Sequence, residues 1–178
     1  DGAKPPATKP SNIAKRIEFA KGDTKAGFAK AEVIIERSFT TQAVHQGYIE
    51  PHATLASASE DGQVQIWSTT QGHFQVRGFC ARLLNMETSQ IRVTPSEIGG
   101  GFGGKEEYPS MLAGPAALLA LKAGRPVKIV YDRHEDMAAT TKRHPAVIRF
   151  RSGATRDGRL VAQDVEILMD GGAYVTLS

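Results

Sequence analysis

The chain has almost no cysteine. Cys80 is the only one among 178 residues, which excludes an internal disulfide framework and any cysteine-built zinc or iron–sulfur site, and fits a reducing, cytoplasmic setting. No apolar run approaches the roughly 20 residues that span a bilayer, and no signal-peptide pattern is present. Aromatics are scarce, at 7%, and they do not alternate with basic side chains, so a platform for nucleic acid is missing. Net charge is only +3. Residues 1–37 carry eight Lys/Arg against five Asp/Glu, so the whole surplus lies there and the remainder is neutral. With its Pro5-Pro6 pair, the stretch 1–27 reads as a solvated linker. The chain opens on Asp1 rather than Met, and a strand-like run reaches its last residues; a piece of a longer polypeptide is expected.

Glycine is what the chain has in plenty, and five of the eighteen fall within Gly99-Gly100-Gly101-Phe102-Gly103-Gly104-Lys105. Such a loop lets the backbone take positive φ and bring bare N–H groups close to a guest. A helix starting after it turns its positive end the same way, so an anionic group is the expected ligand. Read literally, Gly99, Gly101 and Gly104 satisfy G-x-G-x-x-G, and Asp132, after the next strand, is placed to hold a ribose hydroxyl. Three features oppose an NAD-binding reading. Asp132 lies 28 residues beyond Gly104, against the usual ~20. The helix opens late, after Pro109, and Glu106 and Glu107 at the loop exit would repel a pyrophosphate. A structural domain that keeps the loop without using it is the other alternative.

Elsewhere the patterns are those of a mixed α/β chain. Residues 31–39 read as a strand. Residues 53–60 and 64–68 read as a hairpin around Glu60-Asp61-Gly62, where Asp-Gly supplies the positive φ of a tight turn, and 146–151 with 160–169 as a second across Arg156-Asp157-Gly158-Arg159. A helix from Thr70 is expected to bury Phe74, Phe79, Leu83 and Leu84, with Cys80 in the core rather than acting as a nucleophile. Residues 90–94 form a strand into the glycine loop. Residues 110–123 form an Ala/Leu-rich helix with Pro109 in its first turn and Gly124 as C-cap, and 127–131 a buried strand. The expected class is α+β: a mixed sheet with helices packed on one face, in two layers, as a fragment of a larger subunit.

Several polar groups have plain readings. Gln71 alone reads as a capping or surface residue, and Glu50-Pro51-His52 as a buried polar turn holding the sheet. His45 and His52 lack a third ligand, so no metal site is expected between them. Asp132, Arg133, Glu135 and Asp136 read as a solvated or salt-bridged turn, and Asp170-Gly171-Gly172 as backbone geometry.

Ile98-Gly99-Gly100-Gly101-Phe102-Gly103-Gly104-Lys105-Glu106 resembles the pterin loop of the molybdenum hydroxylases, the xanthine dehydrogenase/aldehyde oxidase family. Other segments match the family in the same order: Tyr48-Ile49-Glu50-Pro51-His52-Ala53, Trp67-Ser68-Thr69-Thr70-Gln71, and Asp132-Arg133-His134-Glu135-Asp136-Met137 with Arg143-His144-Pro145. Asp170-Gly171-Gly172-Ala173-Tyr174 resembles another family segment. The likeness spans 28–178 and implies the first molybdopterin-binding domain of a large subunit. It implies a molybdenum–molybdopterin cofactor, with or without its dinucleotide extension, whose metal hangs from the pterin dithiolene and needs no protein ligand. It further implies that Gln71 hydrogen-bonds an oxo group on the metal, and that Gly101, Phe102 and Gly103 line the cofactor, with the N–H groups of the last two turned toward it. Glu106 matches a substrate-orienting position of purine-oxidising members. The family hydroxylates aldehydes or N-heterocycles with water-derived oxygen and passes electrons to 2Fe–2S clusters and FAD on partner domains or subunits. Its general-base glutamate lies in a motif that this sequence does not contain, so no catalytic residue is expected here and the chain alone is expected to be inert.

Overall fold

The computed structural model describes residues 11–173, which divide into two compact units. One is built from the stretch up to Ser38 with Ile148–Glu166, the other from Phe39–Val147 with the stretch from Ile167. In chain order the elements are α1 (Thr24–Ala29), β1 (Val33–Thr41), β2 (Ala53–Ala58), β3 (Val64–Ser68), α2 (His73–Leu84), β4 (Ile91–Pro95), α3 (Ser110–Ala123), β5 (Val127–Val130), α4 (Arg133–Ala139), β6 (Ala146–Ala154) and β7 (Leu160–Met169). A single 3-10 turn, Thr88–Gln90, precedes β4.

The larger unit carries a four-stranded sheet in the order β4-β3-β2-β5. β2 pairs antiparallel with both β3 and β5, while β3 and β4 run parallel, so the sheet is mixed. Alternation along the strands puts Ala56, Val64, Ile66, Ile91 and Val93 on one face, where they form a core with Val76, Cys80 and Ala81 of α2 and Ala113, Ala116, Ala117 and Ala120 of α3. Small residues on α3 let it lie close to the sheet. The result is the two-layer α+β architecture expected from the sequence.

The smaller unit is ordered around the sheet β1-β6-β7. Asp23 caps α1 through its side chain, accepting from the Ala26 N–H at 3.0 Å. Gly27 lets that helix approach β7: a Cβ there would lie 2.5 Å from the Val161 carbonyl oxygen. α1 thus starts inside the stretch read as a linker. Arg151 packs over the Phe28 ring, 4.5 Å from its centroid, and pairs with Glu36 at 2.8 Å.

Both hairpin turns use the same chemistry. Ser59-Glu60-Asp61-Gly62-Gln63 and Thr155-Arg156-Asp157-Gly158-Arg159 each place only the glycine at positive φ (79° and 88°). In each the aspartate carboxylate accepts from the hydroxyl two residues before it. These are three-residue loops closed by a left-handed glycine.

Two element-level expectations change. α2 buries Val76, Cys80 and Ala81 and leaves Phe74, Phe79 and Leu83 exposed; Leu83 meets α3 from the side at Gly114, where a Cβ would lie 2.2 Å from its Cδ2. β5 is an edge strand, with Lys128 and Val130 exposed, rather than a buried one. Burial pushes the Cys80 thiol up to about 11, in keeping with a core residue. No helix among the described residues is long and apolar enough to cross a membrane.

Candidate cofactor-binding site

The glycine loop leaves β4 and returns to α3 through an uncommon backbone path. Gly100, Phe102 and Gly103 all sit at positive φ (98°, 52° and 83°). Phe102 pays for the left-handed conformation with steric strain, and its ring is left largely in solvent, 75% exposed. The N–H groups of Gly100, Gly101 and Phe102 have no partner among the described residues, whereas Gly104 N–H closes back on the Gly101 carbonyl at 2.8 Å. Consecutive backbone donors in such a turn form a concavity suited to an anion.

Gln71, in the link between β3 and α2, meets this loop from the side. Its own N–H donates to the Lys105 carbonyl at 2.6 Å. Its Oε1 accepts from the N–H groups of Gly103 (3.1 Å) and Lys105 (3.2 Å). Two backbone donors on one amide atom require that atom to be oxygen, so Nε2 is the donor end, and it has no partner among the described residues. Gly101 is glycine because Gln71 fills its side-chain space: a Cβ would lie 2.5 Å from Oε1 and 2.6 Å from Cδ. Thr70 completes the junction, its hydroxyl 3.2 Å from the carbonyl oxygens of both Lys105 and Glu106 and accepting from Gly72 N–H at 3.0 Å.

The structure therefore brings Gln71, Gly101, Phe102, Gly103 and Glu106 together around one loop. Gly103 differs from its expected role, since its N–H is turned to Gln71. Glu106 offers its backbone to Thr70, while its half-buried carboxylate has no partner among the described residues.

Glu50 and Lys105 are legible in the sequence only as motif members. Glu50 Oε2 accepts from the Gly99 N–H and from Lys105 Nζ, both at 2.8 Å, and Glu50 N–H donates to the Gly99 carbonyl at 3.2 Å. Lys105 is fully buried beneath the Tyr48 ring, its Nζ 4.8 Å from the centroid. Burial pushes the Glu50 carboxyl up, but the lysine and the Gly99 N–H outweigh it and hold the group below its ordinary value.

Behind the loop lies a buried polar cluster; of the residues read as a solvated or salt-bridged turn, Asp132 and Glu135 are exposed, while Asp136 is buried and paired with two histidines. Asp136 is fully buried in α4. Its Oδ1 accepts from the Tyr48 hydroxyl at 2.6 Å, and its Oδ2 from the His52 backbone N–H at 2.6 Å and from His52 Nδ1 at 3.0 Å. His45 Nδ1 accepts from Gly47 N–H, so Nε2 carries the proton and donates toward Tyr48 Oη (3.1 Å) and Asp136 (3.2 Å). Asp136 is thus the shared hydrogen-bond partner of the two histidines. Burial pushes the Asp136 carboxyl up, but the bonds from Tyr48 and His52 prevail and bring it down to about 2. Burial pushes the His52 imidazole down and keeps it neutral. Gly104 abuts this cluster, a Cβ there lying 2.7 Å from Tyr48 Cε1.

The donor set presented by the loop (backbone N–H groups, one carboxamide and an exposed aromatic ring) suits a large anionic cofactor rather than a bare metal ion. The comparison with known families decides which. A family described as "Molybdopterin cofactor-binding domain" matches residues 6–178. The chain belongs to that family. This molybdopterin cofactor-binding domain is 38% identical over 166 residues to a probable xanthine dehydrogenase subunit of Bacillus subtilis, covering 93% of the chain and 22% of the relative. It is 34% identical over 162 residues to the nicotinate dehydrogenase large molybdopterin subunit of Eubacterium barkeri, covering 91% of the chain and 37% of the relative. Among solved structures, the aldehyde oxidoreductase of Desulfovibrio gigas superposes with a TM-score of 0.71 at 28% identity, over 83% of this chain and 16% of that one. The domain thus spans about a fifth to a little over a third of the length of these curated relatives.

The geometry also answers the dinucleotide alternative. β4, which feeds the loop, is an edge strand, not the central parallel strand of a dinucleotide fold. Asp132 is the N-cap of α4, and its carboxylate accepts from Glu135 N–H at 2.8 Å.

Proposed function

We propose that this domain forms one wall of the molybdenum site in a larger enzyme that hydroxylates an aldehyde or N-heterocycle with oxygen from water. When bound, the molybdenum–molybdopterin group supplies two-electron redox chemistry at the substrate carbon, and the protein supplies position and electrostatics. Gln71 offers its Nε2 protons toward the cofactor, held at a fixed angle by the two backbone N–H groups on Oε1. The unpartnered N–H groups of Gly100, Gly101 and Phe102 receive negatively charged oxygens of the same group. The Phe102 ring, held outward by its positive φ, borders the place where the reacting carbon lies and restricts water there. Glu106, at the loop exit, orients the substrate. The 2Fe–2S and flavin centres that accept the electrons belong to partner domains or subunits, as does the general base, so the isolated chain oxidises nothing.

The observation that carries this reading is Gln71 fixed through its Oε1, with its amide donors unpartnered among the described residues, beside three loop N–H groups likewise unpartnered among them. The test is elemental analysis of the complete protein from its own host, followed by the Gln71→Ala variant. Stoichiometric molybdenum is expected, with turnover per molybdenum falling roughly a hundredfold in the variant. Active, intact protein without molybdenum would overturn the reading.

A further inference from the structure

Gln71 can present its amide at a defined angle only if the N–H groups that grip its oxygen are themselves fixed. They belong to Gly103 and Lys105, in a loop whose glycines would otherwise leave it soft. Two contacts remove that softness. One oxygen of Glu50 bonds both Gly99 N–H and Lys105 Nζ at 2.8 Å, which ties the first residue of the loop to the seventh. Lys105 is held at both ends, its backbone N–H on Gln71 and its ammonium on Glu50, with the intervening side chain fully buried against Tyr48. A path of direct bonds therefore runs from Glu50 through Lys105 to Gln71.

A buried ammonium with one carboxylate partner is a poor way to gain stability, because desolvation offsets most of the attraction and an apolar pair of the same volume does as well. What it supplies is a fixed point. Resting on the reading above that Gln71 faces the cofactor, we infer that Glu50 and Lys105 are positioning residues. They set the angle at which Gln71 meets the molybdenum group, although neither reaches that group itself.

The experiment uses the complete, cofactor-loaded enzyme and the variants Glu50→Gln, Lys105→Met, Gln71→Ala and the double variant Glu50→Gln/Gln71→Ala. Molybdenum content, kcat and KM per molybdenum, and the electron paramagnetic resonance spectrum of the half-reduced cofactor are measured for each. Glu50→Gln and Lys105→Met are expected to shift the resonance g values and lower kcat per molybdenum roughly tenfold or more, with KM moving much less. The double variant is expected to match Gln71→Ala, because the effect of Glu50 passes through Gln71. Unchanged spectra and kcat per molybdenum in both single variants would overturn the inference, as would losses that add in the double variant. Should Glu50→Gln fail to fold, Lys105→Met decides alone, since Met keeps the buried volume and leaves Glu50 on Gly99. Loss of all metal from Lys105→Met, with wild type fully loaded, would make the pair purely structural and end the proposal. Wild-type enzyme without molybdenum would instead defeat the functional reading on which it rests.

Discussion

Gly101 and Gln71 compete for one small volume, and the outcome of adding a methyl group follows from which of them can move. The Gly101 backbone is outside the positive-φ region, so alanine fits its conformation, and the atoms it would meet are the far end of the Gln71 side chain. Gly101→Ala is therefore expected to turn Gln71 away while changing the unfolding free energy by less than about 1 kcal/mol. Turnover per molybdenum in the complete enzyme falls roughly tenfold or more. Equal activity at equal metal content would show that the amide angle is unimportant. The buried cluster makes a different prediction at the same scale. The Asp136 carboxyl titrates at about 2 when folded, below its unfolded value of about 3.9, so its contribution is complete above about pH 4 and is lost as pH falls toward 2. His52 is held neutral by burial, so its contribution is complete above about pH 6.5 and declines as acid forces the ring to charge. Urea midpoints should fall in both windows on acidification, and Asp136→Asn should flatten the lower one; a midpoint rising toward acid would contradict the assignment.

At the scale of elements, α4 is short but firmly started. Asp132 accepts from Glu135 N–H, and Glu135 returns a carboxylate to Asp132 N–H at 3.0 Å, a capping box that satisfies donors a short helix would leave bare. The next residue, Asp136, is the centre of the buried cluster, so the cap aims a functional side chain as well as starting a helix. Asp132→Ala is expected to cost about 1 kcal/mol and Asp132→Ser much less, read as a drop of a few degrees in thermal unfolding. Equal melting of the two variants would remove the cap from the account. The capping box is present in the sequence as Asp132-Arg133-His134-Glu135, yet the segment reads as a turn because the helix it starts has only seven residues. The buried face of α2 departs from its apolar periodicity as well: periodicity counts large apolar residues, while the face that packs in the core carries Val76, Cys80 and Ala81.

At the scale of the whole molecule, the described residues leave large apolar side chains exposed on two strands. Val33, Ile34, Ile35 and Phe39 of β1, and Val165, Ile167, Leu168 and Met169 of β7, are all exposed. Patches of this kind are unusual on a protein that stands alone, and the domain accounts for only 22% of the length of its Bacillus subtilis relative. Expressed without further chain, the domain is expected to self-associate as concentration rises, seen as an increasing weight-average mass in sedimentation equilibrium. A monodisperse monomer at high concentration would mean these strands need no cover.

The sequence by itself determined the layer class, the hairpins with their aspartate–glycine turns, the Ser110–Ala123 helix and the family. All of these depend on contacts within a few residues, or on glycine placements that few backbones require. It also named Gly101, Phe102, Gly103 and Glu106 through their resemblance to a known loop, and Gln71 through the matching segment Trp67-Ser68-Thr69-Thr70-Gln71. Only the tertiary structure decided which amide atom of Gln71 the loop holds, since that depends on two N–H groups more than thirty positions away. The same holds for the burial of Lys105 on Glu50 and for the meeting of His45, Tyr48 and His52 on Asp136, separated by 55 and by 84 to 91 positions. No local pattern encodes such pairings. They exist because β2 pairs with β3 and β5, and β3 with β4, so that the segments flanking these strands meet at one end of the sheet, and because a charge removed from water must find its partner wherever the fold has put one.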